Sequence, residues 1–211
     1  MNRLPAIVLA AGLSQRMGRP KVLLPWGDMT VLGKVVQTLS QAGLSEILVV
    51  TGALREQVEA EVARLFTLVP VRAVFNPGYE HGEMLSSIQA GLFPLSQRGI
   101  GAGGEGETPV EAALIALGDQ PQGRPESVRQ ILQAYARSRP ALLVPSYENH
   151  RGHPWLIRSD LWPDLLAMRP PETARDFLDR HTGEIEYVGV GSPTILQDID
   201  TPADYQREKP G

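Results

Sequence analysis

The chain has 211 residues, 42% apolar and 21% charged, with 20 basic against 24 acidic side chains and no cysteine. That length suits one sizeable domain, spanning 1–211, with a core of its own. The net charge of −4 argues against non-specific nucleic-acid binding, and the missing cysteine excludes disulfides, thiolate metal sites and a cysteine nucleophile. No segment approaches the roughly 20 apolar residues that cross a bilayer. The amino end leads into an apolar run too short for a signal peptide. A soluble, cytoplasmic protein is expected, with neither nucleic acid nor membrane as partner.

Strand-like and helix-like segments alternate from the start. Ala6 to Ala10 reads as a buried strand that breaks into a loop of small residues, Ala11-Gly12-Leu13-Ser14-Gln15-Arg16-Met17-Gly18-Arg19-Pro20-Lys21. Val31 to Ala42 has helical spacing and ends at Gly43. Ile47 to Thr51 is a second buried strand, Arg55 to Phe66 an amphipathic helix, and Val71 to Phe75 a third strand stopped by Asn76-Pro77-Gly78. Glu83 to Leu92 reads as a helix whose Ser86, Ser87, Ala90 and Gly91 permit close approach of a ligand or a neighbouring backbone. Arg98 to Thr108 is a glycine-rich surface loop. Ala112 to Leu117 is a further buried strand, Pro125 to Arg137 a helix, and Ala141 to Pro145 and Pro154 to Arg158 strands. Leu161 to Met168 and Thr173 to Arg180 are short helices, Glu184 to Val190 is a late strand, and a last helix follows Pro202. The alternation predicts a mostly parallel sheet with helices on both faces, plus a small antiparallel excursion after Ala141.

Several stretches could carry chemistry. Open α/β sheets bind ligands at the carboxyl ends of their strands, where the opening loop lies. Its backbone N–H groups and Arg16, Arg19 and Lys21 suit an anion. It matches neither G-x-x-x-x-G-K-[ST] nor G-x-G-x-x-G. Asp119, after the strand ending at Leu117, reads as a magnesium ligand or as a turn aspartate. Asp198 and Asp200, two apart in an extended segment, share one side, while Thr201-Pro202 suits a helix cap. Asn76-Pro77-Gly78 is a turn, His81 reads as a surface histidine or one that supports a site from behind, and Gly152-His153-Pro154 is compatible with turn chemistry alone. The four histidines form no zinc pattern.

Taken together, these motifs resemble a known family. Leu9 to Lys21 closely resembles the L-A-[AG]-G-x-S-x-R-M-G-x-x-K signature of the MobA-like nucleotidyltransferases. The resemblance implies a Rossmann-like three-layer α/β/α fold in which Gly12, Ser14 and Gly18 wrap a triphosphate. By the same resemblance Arg16 and Lys21 meet its charge, Ala10 and Ala11 shape the base pocket, and Leu9 is on substrate. Alanine at position 11, where guanylyl enzymes usually carry a second glycine, looks like the cytidylyl branch. Gly118-Asp119-Gln120-Pro121 resembles the G-D-Q-P of the molybdenum cofactor cytidylyltransferases, which implies Asp119 on the metal and Gly118 and Gln120 on substrate. Asp198-Ile199-Asp200-Thr201-Pro202-Ala203-Asp204 resembles D-I-D-T-P-x-D, implying Asp200 and Asp198 as further metal carboxylates. Asn76 to Ile88 resembles N-P-x-[WY]-x-x-G-M-x-x-S-[LI], with the methionine displaced by one to Met84. That match puts Asn76 on substrate and Ser87 on the cytosine edge. Gly152-His153-Pro154 resembles a G-H-P element on the acceptor side, implicating His153.

The implied reaction moves CMP from CTP to a molybdopterin-type molybdenum cofactor with Mg²⁺, releasing pyrophosphate. The product would pass to a molybdoenzyme or its maturation chaperone. Two alternatives stand beside it: transfer to another phosphorylated acceptor or from GTP, and a non-catalytic nucleotide-binding chaperone that delivers cofactor.

Overall fold

The sheet grows outward from strand β1 (Pro5–Leu9), whose Ala6, Ile7 and Val8 are completely buried. A strand covered on both faces reads as a continuous apolar run, and β1, β4 (Glu46–Thr51) and β6 (Ala112–Leu117) all do. The computed structural model describes residues 4–13, 17, 20–67, 69–81, 83–98 and 109–210. The glycine-rich stretch after Arg98 therefore lies outside the described residues, as do Ser14, Arg16 and Gly18 of the opening loop.

β1 pairs in parallel with β4 on one side and β6 on the other, and β4 pairs in parallel with β5 (Val71–Phe75). Beyond β6 the order runs β9 (Trp155–Arg158), β7 (Leu142–Tyr147) and β10 (Ile185–Gly189). β9 is antiparallel to both neighbours, and the short β8 (His150–Arg151) folds back on β7. The mostly parallel sheet with a small antiparallel excursion is thus as the alternation predicted. A separate two-stranded ribbon, β2 (Pro25–Trp26) and β3 (Met29–Thr30), has no counterpart in that reading. Its strands are too short for any period, and its one cue is Gly27, which supplies the positive φ of 64° at the first central position of a two-residue turn.

Helix α1 (Val31–Ala42) starts at Thr30, whose hydroxyl accepts from the Gly33 N–H at 2.9 Å, and ends at Gly43 with φ 100°. With α2 (Arg55–Phe66) and α4 (Pro125–Ser138) it covers one face of the sheet; Leu32, Val36, Val58 and Ile131 are buried there. Helices α3 (Glu83–Ser96), α5 (Trp162–Ala167) and α6 (Ala174–Arg180) cover the other, burying Ile88, Leu92, Leu165 and Phe177. Each such side chain contributes about 1.5–3 kcal/mol on burial. α3 runs past the predicted end at Leu92 despite Pro94, because Leu95 in that extra turn is 1% exposed and anchors it in the core. The chain closes with α7 (Pro202–Glu208), opened by a Thr201/Asp204 capping box with Pro202 at its first position. No helix among the described residues is long and apolar enough to cross a membrane.

Gly91 shows why α3 carries small residues. A Cβ there would collide with the Ile7 side chain and sit 3.1 Å from Val50 Cγ2. Two β-branched neighbours in central strands cannot swing aside. Gly91→Ala should therefore cost about 1–3 kcal/mol of unfolding free energy despite alanine's better helix propensity. Urea denaturation with an unchanged m-value would measure it.

Candidate active site

The carboxyl ends of β1, β4 and β6 are stitched together where the strands stop. Ala10 N–H donates to Val50 O at 3.0 Å and Gly118 N–H to Leu9 O at 2.9 Å. Gly118 has to be glycine, because a Cβ would stand 2.7 Å from that same Leu9 carbonyl. Gly52 is equally constrained: a Cβ there would meet the Ala11 carbonyl at 2.5 Å and the Ala11 methyl at 2.8 Å. Above this junction lies a cleft of about 340 Å³. Leu9, Ala10, Ala11 and Gly12 form one wall, Lys21 and Val22 another, Met84 and Ser87 of α3 a third, and Leu117, Asp119, Asp198 and Asp200 the last.

Lys21 begins a single 3-10 turn, Lys21–Leu23, that follows the opening loop. Its ammonium pairs with Asp119 Oδ2 and, at 3.2 Å, with Asp200 Oδ1. Burial alone would discharge a lysine, but Asp119 and then Asp200 outweigh that, and its pKa is raised above the ordinary lysine value. The group is a fixed cation near neutral pH and no candidate for a general base.

Residues Asp198 to Asp200 run extended along the β6 end, held by the Ile199 N–H donating to Asp119 O at 3.1 Å. Asp198 and Asp200 both face the cleft, as their spacing predicted, while the fully buried Ile199 points the other way. Ile199 packs there with Met17, Leu24, Trp26, Val31 and Tyr205. Asp198 accepts from Gln120 Nε2 at 2.6 Å. Burial first, and the charges of Asp119 and Asp200 after it, push its carboxyl pKa up, against the opposing effects of Gln120 and Lys21. Among the described residues no three acidic or histidine side chains form a ready-made metal cage. Asp119, Asp198 and Asp200 are gathered, but around an ammonium.

Four predicted substrate residues do not line this cleft. Asn76 is 2% exposed and spends its amide inside the turn: Oδ1 accepts from Gly78 N–H at 2.9 Å, and Nδ2 donates to Ser86 Oγ at 2.9 Å and Ser87 Oγ at 3.1 Å. It orients Ser87 and does not line the cleft. The Gln120 Nε2 donates to Asp198 Oδ1 and, at 3.3 Å, to Ile195 O. His153 stacks on Trp155 with ring centroids 4.5 Å apart, and lines a separate small cavity of about 30 Å³ with Gln120 and Ile195. Gly118 serves the strand junction. His81 is exposed, as expected. Val22, Leu117 and Met84 line the cleft without having been singled out for it; Val22 and Leu117 are each one step from a predicted residue, and Met84 is the displaced methionine of its motif.

The chain belongs to the family of MobA-like NTP transferase domains, whose family model matches residues 6–185. It is 27% identical to the molybdenum cofactor cytidylyltransferase of Escherichia coli (strain K12), over 97% of this chain and 95% of that protein. It is also 28% identical to the nicotine blue oxidoreductase of Paenarthrobacter nicotinovorans, over 92% and 91%. Among solved structures, Rv0371c from Mycobacterium tuberculosis H37Rv is 25% identical with a TM-score of 0.77, covering 97% of this chain and 96% of that one. The same protein has been solved in complex with manganese, with a TM-score of 0.71 at the same identity and coverage.

The His153 ring gives a prediction of its own. Nε2 is fully buried with no hydrogen-bond partner among the described residues, and burial pulls its pKa down to about 4. Between pH 6.5 and 4 the unfolded chain binds a proton that the folded chain refuses, so this contribution is complete above 6.5 and is lost as pH falls toward 4. The 2.5-unit difference corresponds to about 3 kcal/mol. Unfolding free energy measured across that window should fall in the native protein, and His153→Leu should flatten the slope there.

Proposed function

We propose that this protein transfers a cytidylyl group from CTP to a molybdopterin-type molybdenum cofactor, forming the cytosine dinucleotide and releasing pyrophosphate. The observation that carries the reading is the Lys21 ammonium held between Asp119 and Asp200 at the mouth of a cleft walled by the strand end Leu9 to Gly12. In the reaction a phosphate oxygen of the acceptor bonds to the α-phosphorus of CTP, and the bond from that phosphorus to the α–β bridging oxygen breaks. A phosphate monoester is largely ionised near neutral pH, so the attacking oxygen needs no protein base. Lys21, with Arg16 from the loop, neutralises charge that develops on the phosphates, and the loop amides orient them.

The carboxylates of Asp119, Asp198 and Asp200 offer hard oxygen donors, and their mutual repulsion at Asp198 is what a divalent cation relieves. Asp119 with Asp200 or Asp198 would hold Mg²⁺, the remaining positions falling to phosphate and water, which suits a set short of a full cage. When bound, the metal supplies Lewis-acid stabilisation of the phosphates. The manganese complex of Rv0371c supports divalent-metal use. Pyrimidine choice draws support from Asn76. With Oδ1 fixed by Gly78, its Nδ2 donates into Ser87 Oγ, leaving the Ser87 hydroxyl hydrogen free for an acceptor on the base edge.

The test is pyrophosphate release, with each nucleoside triphosphate in turn, magnesium and molybdenum-loaded molybdopterin. CTP should be the productive nucleotide. Release with GTP alone, or only with a sugar or alcohol phosphate, would replace the substrate assignment; none at all would remove the transferase reading in favour of the oxidoreductase kinship or a delivery role. Lys21→Ala should lower kcat about 10²–10³-fold with a much smaller change in KM for CTP, as for loss of a charge used mainly in the transition state. Asp119→Asn should fold normally and lose its response to added magnesium. An unaltered metal titration would sink that assignment.

A further inference from the structure

The nucleotide cleft does not end at Met84. The other side of that side chain opens into a second, larger groove of about 830 Å³, floored by Leu85 and Trp155. One bank is the β7–β8 hairpin, presenting His150 and Arg151; the other is α6, presenting Arg175 and Asp179. Asn149, His150 and Arg151 of this first bank have no part in the nucleotide cleft.

Three features point to an anion. Arg175 lies in the first turn of α6, the wrong end of a helix for a cation. It has no hydrogen bond or ion pair among the described residues, and the adjacent Asp176 is consumed by the capping box with Thr173. Arg151 is held only loosely, by a 3.8 Å pair to Asp179 and a guanidinium 5.4 Å from the Tyr187 ring centroid. Finally, the hairpin that carries Arg151 turns through Glu148 at φ 49° and Asn149 at φ 67°, where glutamate is disfavoured. Strain of this kind is tolerated where it places a side chain for use. The groove has two arginines against one aspartate in a chain of net charge −4.

We infer that this groove is the acceptor subsite, and that Arg175 and Arg151 bind a phosphate-bearing acceptor from opposite banks while His153, behind Trp155, does not touch it. The inference rests on the transferase reading for the chemistry but not for the binding. An acceptor seated here reaches the nucleotide across Met84. The volume fits a drug-sized molecule, which the nucleotide cleft could not hold beside CTP.

The experiment is equilibrium binding without CTP, using two probes: molybdenum-loaded molybdopterin and glucose 1-phosphate. The proteins are the native chain, Arg151→Ala/Arg175→Ala, and Arg129→Ala/Arg137→Ala on α4 as a control that removes the same charge elsewhere. The groove variant should bind molybdopterin at least ten-fold more weakly, and the control within two-fold of native. In steady-state assays its KM for the acceptor should rise by a similar factor, with KM for CTP unchanged. Equal weakening in the control, an unchanged groove variant, or no binding of either probe to the native chain would overturn the inference. Binding of glucose 1-phosphate alone, lost in the groove variant, would uphold the groove and overturn the molybdopterin reading.

Discussion

An ammonium shared between two carboxylates ties together three parts of the chain that are far apart in sequence. Lys21 follows the opening loop, Asp119 caps β6, and Asp200 lies near the carboxyl end. All three side chains are substantially covered, at 19%, 16% and 35% exposure, so the contacts are less screened than an ordinary surface pair. The arrangement is also unbalanced. With Asp198 beside them, three carboxylates answer one ammonium, and Asp198 is already held above its usual range, by burial first and by the charges of Asp119 and Asp200 after it. A triphosphate adds more negative charge to the same space. Such a cleft demands further cations before it can hold nucleotide, and that demand is the physical ground for reading metal and loop arginines into the reaction.

What keeps those carboxylates in place is apolar. Ile199 alternates with the two aspartates, and its burial among Leu24, Trp26, Val31 and Tyr205 fixes which way they face. The small β2–β3 ribbon exists to bring Trp26 there, and Tyr205 Oη locks onto Pro25 O at 2.6 Å. The last helix and the ribbon behind the opening loop thus form one support, so a change in the site's electrostatics can originate in a cluster that contains no charged side chain.

Most of this was legible in the residues. Apolar runs and helical spacing locate the sheet and both helix layers, since burial on two faces leaves an unmistakable pattern. The ribbon was not legible, because two-residue strands have no period. Chain order also marked the residues that meet: Lys21, Asp119, Asp198 and Asp200 converge on one cleft. It did not mark which way a side chain faces. Asn76, Gln120 and His153 sit at motif positions, yet the amide NH2 groups donate to Ser87 and Asp198, and the imidazole stacks on Trp155. A polar residue that folds inward to satisfy its neighbours looks the same in sequence as one that reaches a ligand.

These inward-facing residues still bear on specificity, by restricting the groups that do face the cleft. Ser87 alone could donate or accept, but the Asn76 amide already donates to it. Its hydrogen is therefore turned toward whatever acceptor the cleft provides. A base edge that presents a ring nitrogen or carbonyl acceptor meets that hydroxyl well. The Asn76 turn and the strand end together set what Ser87 and the Ala11 methyl present to the cleft.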